Sequence, residues 1–273
     1  MENFSAFHTN FDIKKLSSYI LNIQLNTHYI EYLMIDSIRN QCVAVYYKNF
    51  EEPNKPLFEN LQQAIKEDVY LNKHYKSINF YLADNRYTLV PEQLFDKNKI
   101  KEYMKHIHNV SKEDEIHFTK IEKNDFYILY VYPSILTTFL VNHFPEIRLY
   151  HSNIHLIRNA FDHSKENNLE ITGEILIHKN SFDIFILNNK NPVILNSFIY
   201  EKPEDIVYYT LLLINRTNAI PQSTKLILNG LIEPDSIAIK ELRKRVGQVL
   251  LNTRFKTNFS FTNTQLHIWG NII

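Results

Sequence analysis

The chain has 273 residues, 44% of them hydrophobic, and equal numbers of Lys+Arg and Asp+Glu at 30 each, so its formal charge is zero. That balance supplies no global field for nucleic acid or an anionic membrane. The single cysteine, Cys42, excludes an intrachain disulfide framework and any cysteine-rich zinc site, and it suits a reducing cytoplasm. No apolar run approaches the roughly eighteen residues of a membrane span, and Met1–Asn10 lacks the basic and apolar regions of a secretory signal. There are only four glycines, Gly173, Gly230, Gly247 and Gly270. They are too far apart to form a Walker loop, a dinucleotide fingerprint or a hydrolase nucleophile elbow.

In chain order, Tyr19–Asn26, Tyr29–Asp36 and Gln41–Asn49 read as three successive strands, rich in alternating and β-branched residues. Pro56–Asp68 reads as a helix with Leu57, Leu61, Ala64 and Ile65 on one face, and Ser77–Leu82 as the next strand. An elaboration follows. Pro91–His108 is helical in two pieces, His117–Ile121 and Phe126–Tyr132 are strands, and Ser134–His143 is a helix ended by Pro145. Ile147–His151 is a short strand and Ile154–Asn167 a helix.

The first order then returns. Thr172–His178, Ser181–Leu187 and Val193–Tyr200 read as strands. Pro203–Asn215 reads as a helix whose Glu204 and Asp205 suit the positive end of its dipole. Lys225–Leu228 is a strand, and Asp235–Leu250, enclosing Gly247, is a long final helix. The fold class is therefore α/β with duplicated β-β-β-α-β-α lobes. The first lobe spans residues 1–167 with an inserted subdomain around 87–133, the second spans 168–273, and the join lies near Ser164–Asn168.

A duplicated unit of this order resembles the actin-like ATPase fold, with its ribonuclease H-like lobes. More specifically, the chain resembles a Bacteroidetes family, domain-of-unknown-function family 3822, which is described as actin-like. The resemblance is carried by Leu21–Leu25 with its hairpin, Tyr87–Pro91 with Leu94-Phe95, Phe144–His151, Asn196–Tyr200 and Glu204–Tyr209. It implies two lobes clasping a nucleotide, with each lobe's first hairpin wrapping phosphate and a glycine-rich segment packing on adenosine.

The residues at those places depart from an active ATPase. The first turn reads Asn26-Thr27-His28, and the second His178-Lys179-Asn180-Ser181, where an acid followed by glycine is usual. After the second lobe's fourth strand only Asn229-Gly230 remains. Glycine lets backbone N–H groups approach phosphate, often at positive φ, and the absent acids would hold magnesium or its waters. Asn180 and Asn229 are substitutes to the extent that asparagine adopts the left-handed region. The candidate cofactor-binding residues are thus Asn26, Thr27, His28, Lys179, Asn180, Ser181, Asn229 and Gly230, with no catalytic or metal-binding residue assigned.

Other groupings have plainer explanations. His143, His151 and His155 would form a metal site only if they converged, and they read more simply as polar interior and capping residues. Glu113–Glu115 reads as a solvated turn. Lys240, Arg243, Lys244 and Arg245, with Arg254 and Lys256, make the last helix basic, which suits either an exposed amphipathic face or RNA phosphates. The apolar Leu266–Ile273 is expected to dock as a terminal strand. The sequence expectation is a cytoplasmic, non-catalytic actin-like module that binds a protein partner and needs no cofactor. The alternatives are an atypical ATPase using ATP with magnesium in the inter-lobe cleft, and RNA binding through the final helix.

Overall fold

A computed structural model of the protein describes residues 3–121, 124–165 and 170–252. The Glu166–Asn168 part of the expected join, Arg254, Lys256, Gly270 and the Leu266–Ile273 segment lie outside the described residues. The chain divides into two compact units, with the boundary between Ser152 and Asn153.

In the first unit, β1 (Phe4–Phe7), β2 (Tyr19–Leu25), β3 (Tyr29–Asp36) and β4 (Gln41–Asn49) lead into α1 (Leu57–Glu67) and β5 (Ser77–Leu82). Then come β6 (Tyr87–Pro91), α2 (Ile100–Ile107), β7 (Asp114–Ile121) and β8 (Phe126–Pro133), followed by α3 (Ser134–His143) and β9 (Arg148–His151). The second unit holds α4 (Asn153–Lys165), β10 (Ile171–Ile177), β11 (Ser181–Asn188) and β12 (Asn191–Ile199), followed by α5 (Pro203–Arg216), β13 (Thr224–Gly230), α6 (Ile237–Arg243) and β14 (Gln248–Leu251).

The sheets repeat one pattern. The first unit's main sheet runs β1-β4-β3-β2-β5-β9, and the second's runs β12-β11-β10-β13-β14. In each, three consecutive strands (β2–β4 and β10–β12) pair antiparallel and two later strands join parallel beside the first of the three; β1 adds antiparallel to β4. β10 shows why this order is stable. All seven of its residues are buried, as expected of a central strand covered on both faces. Its Ile171, Ile175 and Ile177 belong to a cluster with Ile206 and Ile214 of α5 and Ile239 and Leu242 of α6. α1 buries Leu61, Ala64 and Ile65 as its apolar face predicts. At the start of α5, Asp205 accepts the backbone N–H groups of Glu201 and Lys202, both at 3.0 Å, so its carboxylate serves the helix end.

Residues 87–133 build a separate three-stranded sheet, β6-β8-β7, backed by Met104 of α2. Three features differ from the sequence expectation. β1 and β6 are additional strands. The final helix is short: α6 stops at Arg243, and Gln248–Leu251 is a strand parallel to β13. Gly247 is therefore not in a helix. A Cβ there would lie 1.9 Å from the Gln222 carbonyl oxygen, and the Gly247 N–H donates to Pro221 O at 3.0 Å, so the chain turns tightly against the loop before β13.

Candidate functional site

The first candidate turn joins β2 to β3. Asn26 N donates to Tyr29 O at 2.9 Å, and Asn26 Oδ1 accepts the backbone N–H of His28 at 3.1 Å, an Asx turn. Asn26 is buried, Thr27 is exposed, and the His28 carbonyl accepts from Phe50 N at 2.9 Å. Two residues back, Gln24 faces Glu31 across the β2–β3 ladder and donates to it at 2.8 Å. Burial holds the Glu31 carboxyl well above the usual carboxylate range, which favours its neutral form.

The second candidate turn joins β10 to β11. His178 N donates to Ser181 O at 2.8 Å, while Lys179 and Asn180 are exposed. Tyr200 braces the turn, its N–H donating to Asn180 O at 3.0 Å and its hydroxyl to His178 O at 2.8 Å. The His178 ring lies with Nε2 2.9 Å from one Asp183 oxygen, and Ser197 Oγ donates to the other. Asn180 is not among the described residues with positive φ, so it does not replace glycine there.

Asn229 and Gly230 lie beside this turn, because Gly230 pairs with Ile177 in the parallel ladder. Asn229 is fully buried and does not adopt positive φ. It donates to Glu174 at 2.6 Å and accepts from Asn252 at 2.6 Å, and the other Glu174 oxygen meets His163 Nδ1. Gly230 has φ +88°, and a Cβ there would lie 2.1 Å from Ile177 O. Its glycine is required by the close pairing of β10 and β13, where Leu231 N donates to Ile177 O at 2.7 Å.

The sequence reading missed the acids of this region, Glu174 and Asp183, and with them His163, Asn252, Gln24 and Glu31. The available signal was an acid inside an apolar run, Glu174 among Ile171, Ile175, Leu176 and Ile177.

The histidines and basic residues occupy other places. His143 stacks on Phe139 with ring centroids 5.5 Å apart. His151 Nε2 donates to Asp84 O at 2.6 Å, with its ring 4.4 Å from that of Tyr87. His155 lies on α4 in the second unit, where burial, aided by the Arg158 charge, pushes its pKa down to about 3. Among the described residues no group of three His, Cys, Asp or Glu side chains is placed to hold a metal ion. Of the basic residues near α6, Lys244 pairs with Glu241 at 2.6 Å and Arg245 pairs with the same carboxylate. Among the described residues no helix is long and apolar enough to cross a membrane.

Comparison with known proteins accounts for the repeated sheet order. Residues 8–249 match the family described as protein of unknown function (DUF3822). A Bacteroides thetaiotaomicron protein with actin-like ATPase fold and unknown function is 24% identical, with a TM-score of 0.81 over 89% of this chain and 93% of that one. A chain of the PilM–PilN type IV pilus biogenesis complex is 9% identical, with a TM-score of 0.62 over 93% of this chain and 96% of that one. No curated protein matches the chain. The architecture is the actin-like ATPase fold.

Proposed function

The chain belongs to the DUF3822 family, and we propose that it is a non-catalytic actin-like module whose task is to bind a protein partner. One observation carries the reading: buried polar groups at and beside the candidate turns are engaged within the protein, while Thr27, Lys179 and Asn180 are exposed. The His28 N–H is taken by Asn26 Oδ1. The positive φ of Gly230 serves the β10–β13 pairing. Asp183 is shared by His178 and Ser197, and Glu174 by His163 and Asn229. Gln24, near the end of β2, is an amide rather than an acid and is bonded to Glu31. Backbone donors already spent on the turns count against a magnesium nucleotide, whose phosphates are held by free main-chain N–H groups. The fold similarity to a chain of the PilM–PilN complex supports a binding role by analogy of architecture alone.

Isothermal titration of the full chain with ATP and magnesium, combined with a phosphate-release assay, tests this reading. The expected result is no saturable heat and no phosphate above the protein-free rate. Micromolar binding with measurable phosphate release overturns it. Saturable binding without release would instead favour a nucleotide-responsive switch.

A further inference from the structure

β12 forms one edge of the second unit's sheet. β11 pairs its inner side, and among the described residues no strand pairs its outer side. An unpaired edge presents a row of backbone N–H and C=O groups, and proteins ordinarily guard it with charged side chains, proline, a bulge or a short strand. β12 is nine residues long and contains no charged residue; Pro192 and a bulge that leaves Val193 out of the pairing with β11 both lie at its start, so Ile194–Ile199 is the unguarded stretch. Val193 is 48% exposed and Ile199 75% exposed.

Beside this edge lies a cavity of about 570 Å³, lined by Val193, Leu195 and Asn196 of β12 and by Leu213, Arg216 and Thr217 at the end of α5. Among the described residues of the lining, Arg216 is the one that carries a charge. It is exposed, and it belongs to none of the ion pairs among the described residues, so its planar fork of donors can meet a carboxylate that enters the groove.

We propose that an extended segment of a partner protein adds to β12 as a sixth strand of this sheet and sets a carboxylate against Arg216. The proposal rests on the binding role argued above. Main-chain hydrogen bonds along the edge would supply affinity, and the alternating side chains meeting Val193, Leu195 and Arg216 would supply selectivity. A second copy of this chain fits less well. β12 carries no acid, so pairing two such edges would bring in a second Arg216 and no β12 carboxylate to meet either one.

An immobilised array of nonapeptides that alternate Val and Thr, with Asp, Asn or Lys placed at each position in turn, tests the full-length chain. Retention is expected on Asp-bearing members, weakened by about fivefold or more in Arg216→Glu and again in Val193→Lys, at unchanged melting temperature. Both positions are exposed enough for the variants to fold. Equal retention on Asp and Lys members, retention indifferent to Arg216→Glu, or no retention at all overturns the proposal. So does a solution dimer that Val193→Lys dissociates, which would give the edge to a second copy. The array contains no nucleotide, so its failure removes the β12 assignment alone, whereas phosphate release removes the binding role itself.

Discussion

Gln24 and Glu31 stand directly opposite each other in the β2–β3 ladder, and the Gln24 amide donates to the Glu31 carboxyl at 2.8 Å with both residues about 2% exposed. Gln24 Oε1 and Glu31 Oε2 are buried without a partner. A second hydrogen between those two oxygens would satisfy both, and a protonated carboxyl or an amide can supply it.

The pH dependence of this pair follows from burial, which raises the Glu31 pKa in the folded chain. The unfolded chain releases that proton near the ordinary glutamate value of about 4.3. The contribution of Glu31 to stability is therefore fully present below that pH and is lost as pH rises toward the folded-state value. Glu31→Gln removes the ionisation and keeps a donor for Gln24 Oε1. Its melting temperature should exceed that of the unmodified protein by roughly 3–6 °C at pH 8, with the gap closing toward pH 4. A melt series in which the variant is no more stable at pH 8 would show that the buried carboxylate is compensated.

His155 acts in the opposite direction. Its folded-state pKa lies at about 3, chiefly through burial, while an unfolded histidine titrates near 6.5. The unfolded chain therefore binds the extra proton first, and stability is lost as pH falls from about 6.5 toward 3. At pH 5 the loss from this one group is about 2 kcal/mol, from 1.36 kcal/mol per pH unit below the unfolded pKa. His155→Gln should flatten that part of the urea-midpoint profile between pH 7 and pH 5. A profile as steep as before would assign the acid sensitivity to another group.

How far the sequence disclosed these sites depends on the range of the interactions involved. The duplicated strand order was legible because it is written locally: Leu21, Ile23 and Leu25 alternate with Asn22 and Gln24, and Pro203 opens α5 just ahead of Glu204 and Asp205. The end of the second unit was not. Val246, Val249 and Leu250 imitate helical spacing, and only the close approach of Gly247 to Gln222 and the pairing of Val249 with Leu226 show that the chain turns into a strand. The candidate turns were located correctly, but the use made of their residues was hidden. Asn26 spends its side chain on its own turn, whereas Glu174 finds Asn229 at a separation of 55 residues. No local pattern reports a partner that distant.

The glycines make a graded test of backbone against side-chain crowding. At Gly230 the added Cβ would meet the Ile177 carbonyl oxygen at 2.1 Å, at a φ of +88° that L-residues rarely adopt. At Gly173 the contact is Leu226 Cδ2 at 2.7 Å, a side-chain methyl that can rotate aside. Gly230→Ala should destabilise the protein by roughly 3 kcal/mol or more, and Gly173→Ala by roughly 1–2 kcal/mol. Denaturant titrations of both variants give the order. A Gly173→Ala protein less stable than Gly230→Ala would mean that the β10–β13 junction relaxes more easily than the core around Leu226.

Glu174 holds the second unit's interior polar groups together. It sits at 0% exposure on β10, receives the Asn229 amide at 2.6 Å and meets the His163 ring, while Asn252 donates to Asn229 from the residue after β14. One carboxylate thus links α4, β10, β13 and the strand edge beyond. Among the described residues, removing it leaves Asn229 Nδ2 with the Ile175 carbonyl, 3.4 Å away, as its one acceptor. Glu174→Ala should cost about 3–5 kcal/mol, the usual penalty for breaking a buried polar network by removing one member. Glu174→Leu should cost less, because the added apolar volume fills the space between Ile171 and Ile175, although the amide still loses its acceptor. Urea titration followed by far-ultraviolet circular dichroism measures both. If Glu174→Ala unfolds at the unmodified midpoint, the network does not support the unit, and Glu174 would be retained for a role other than stability.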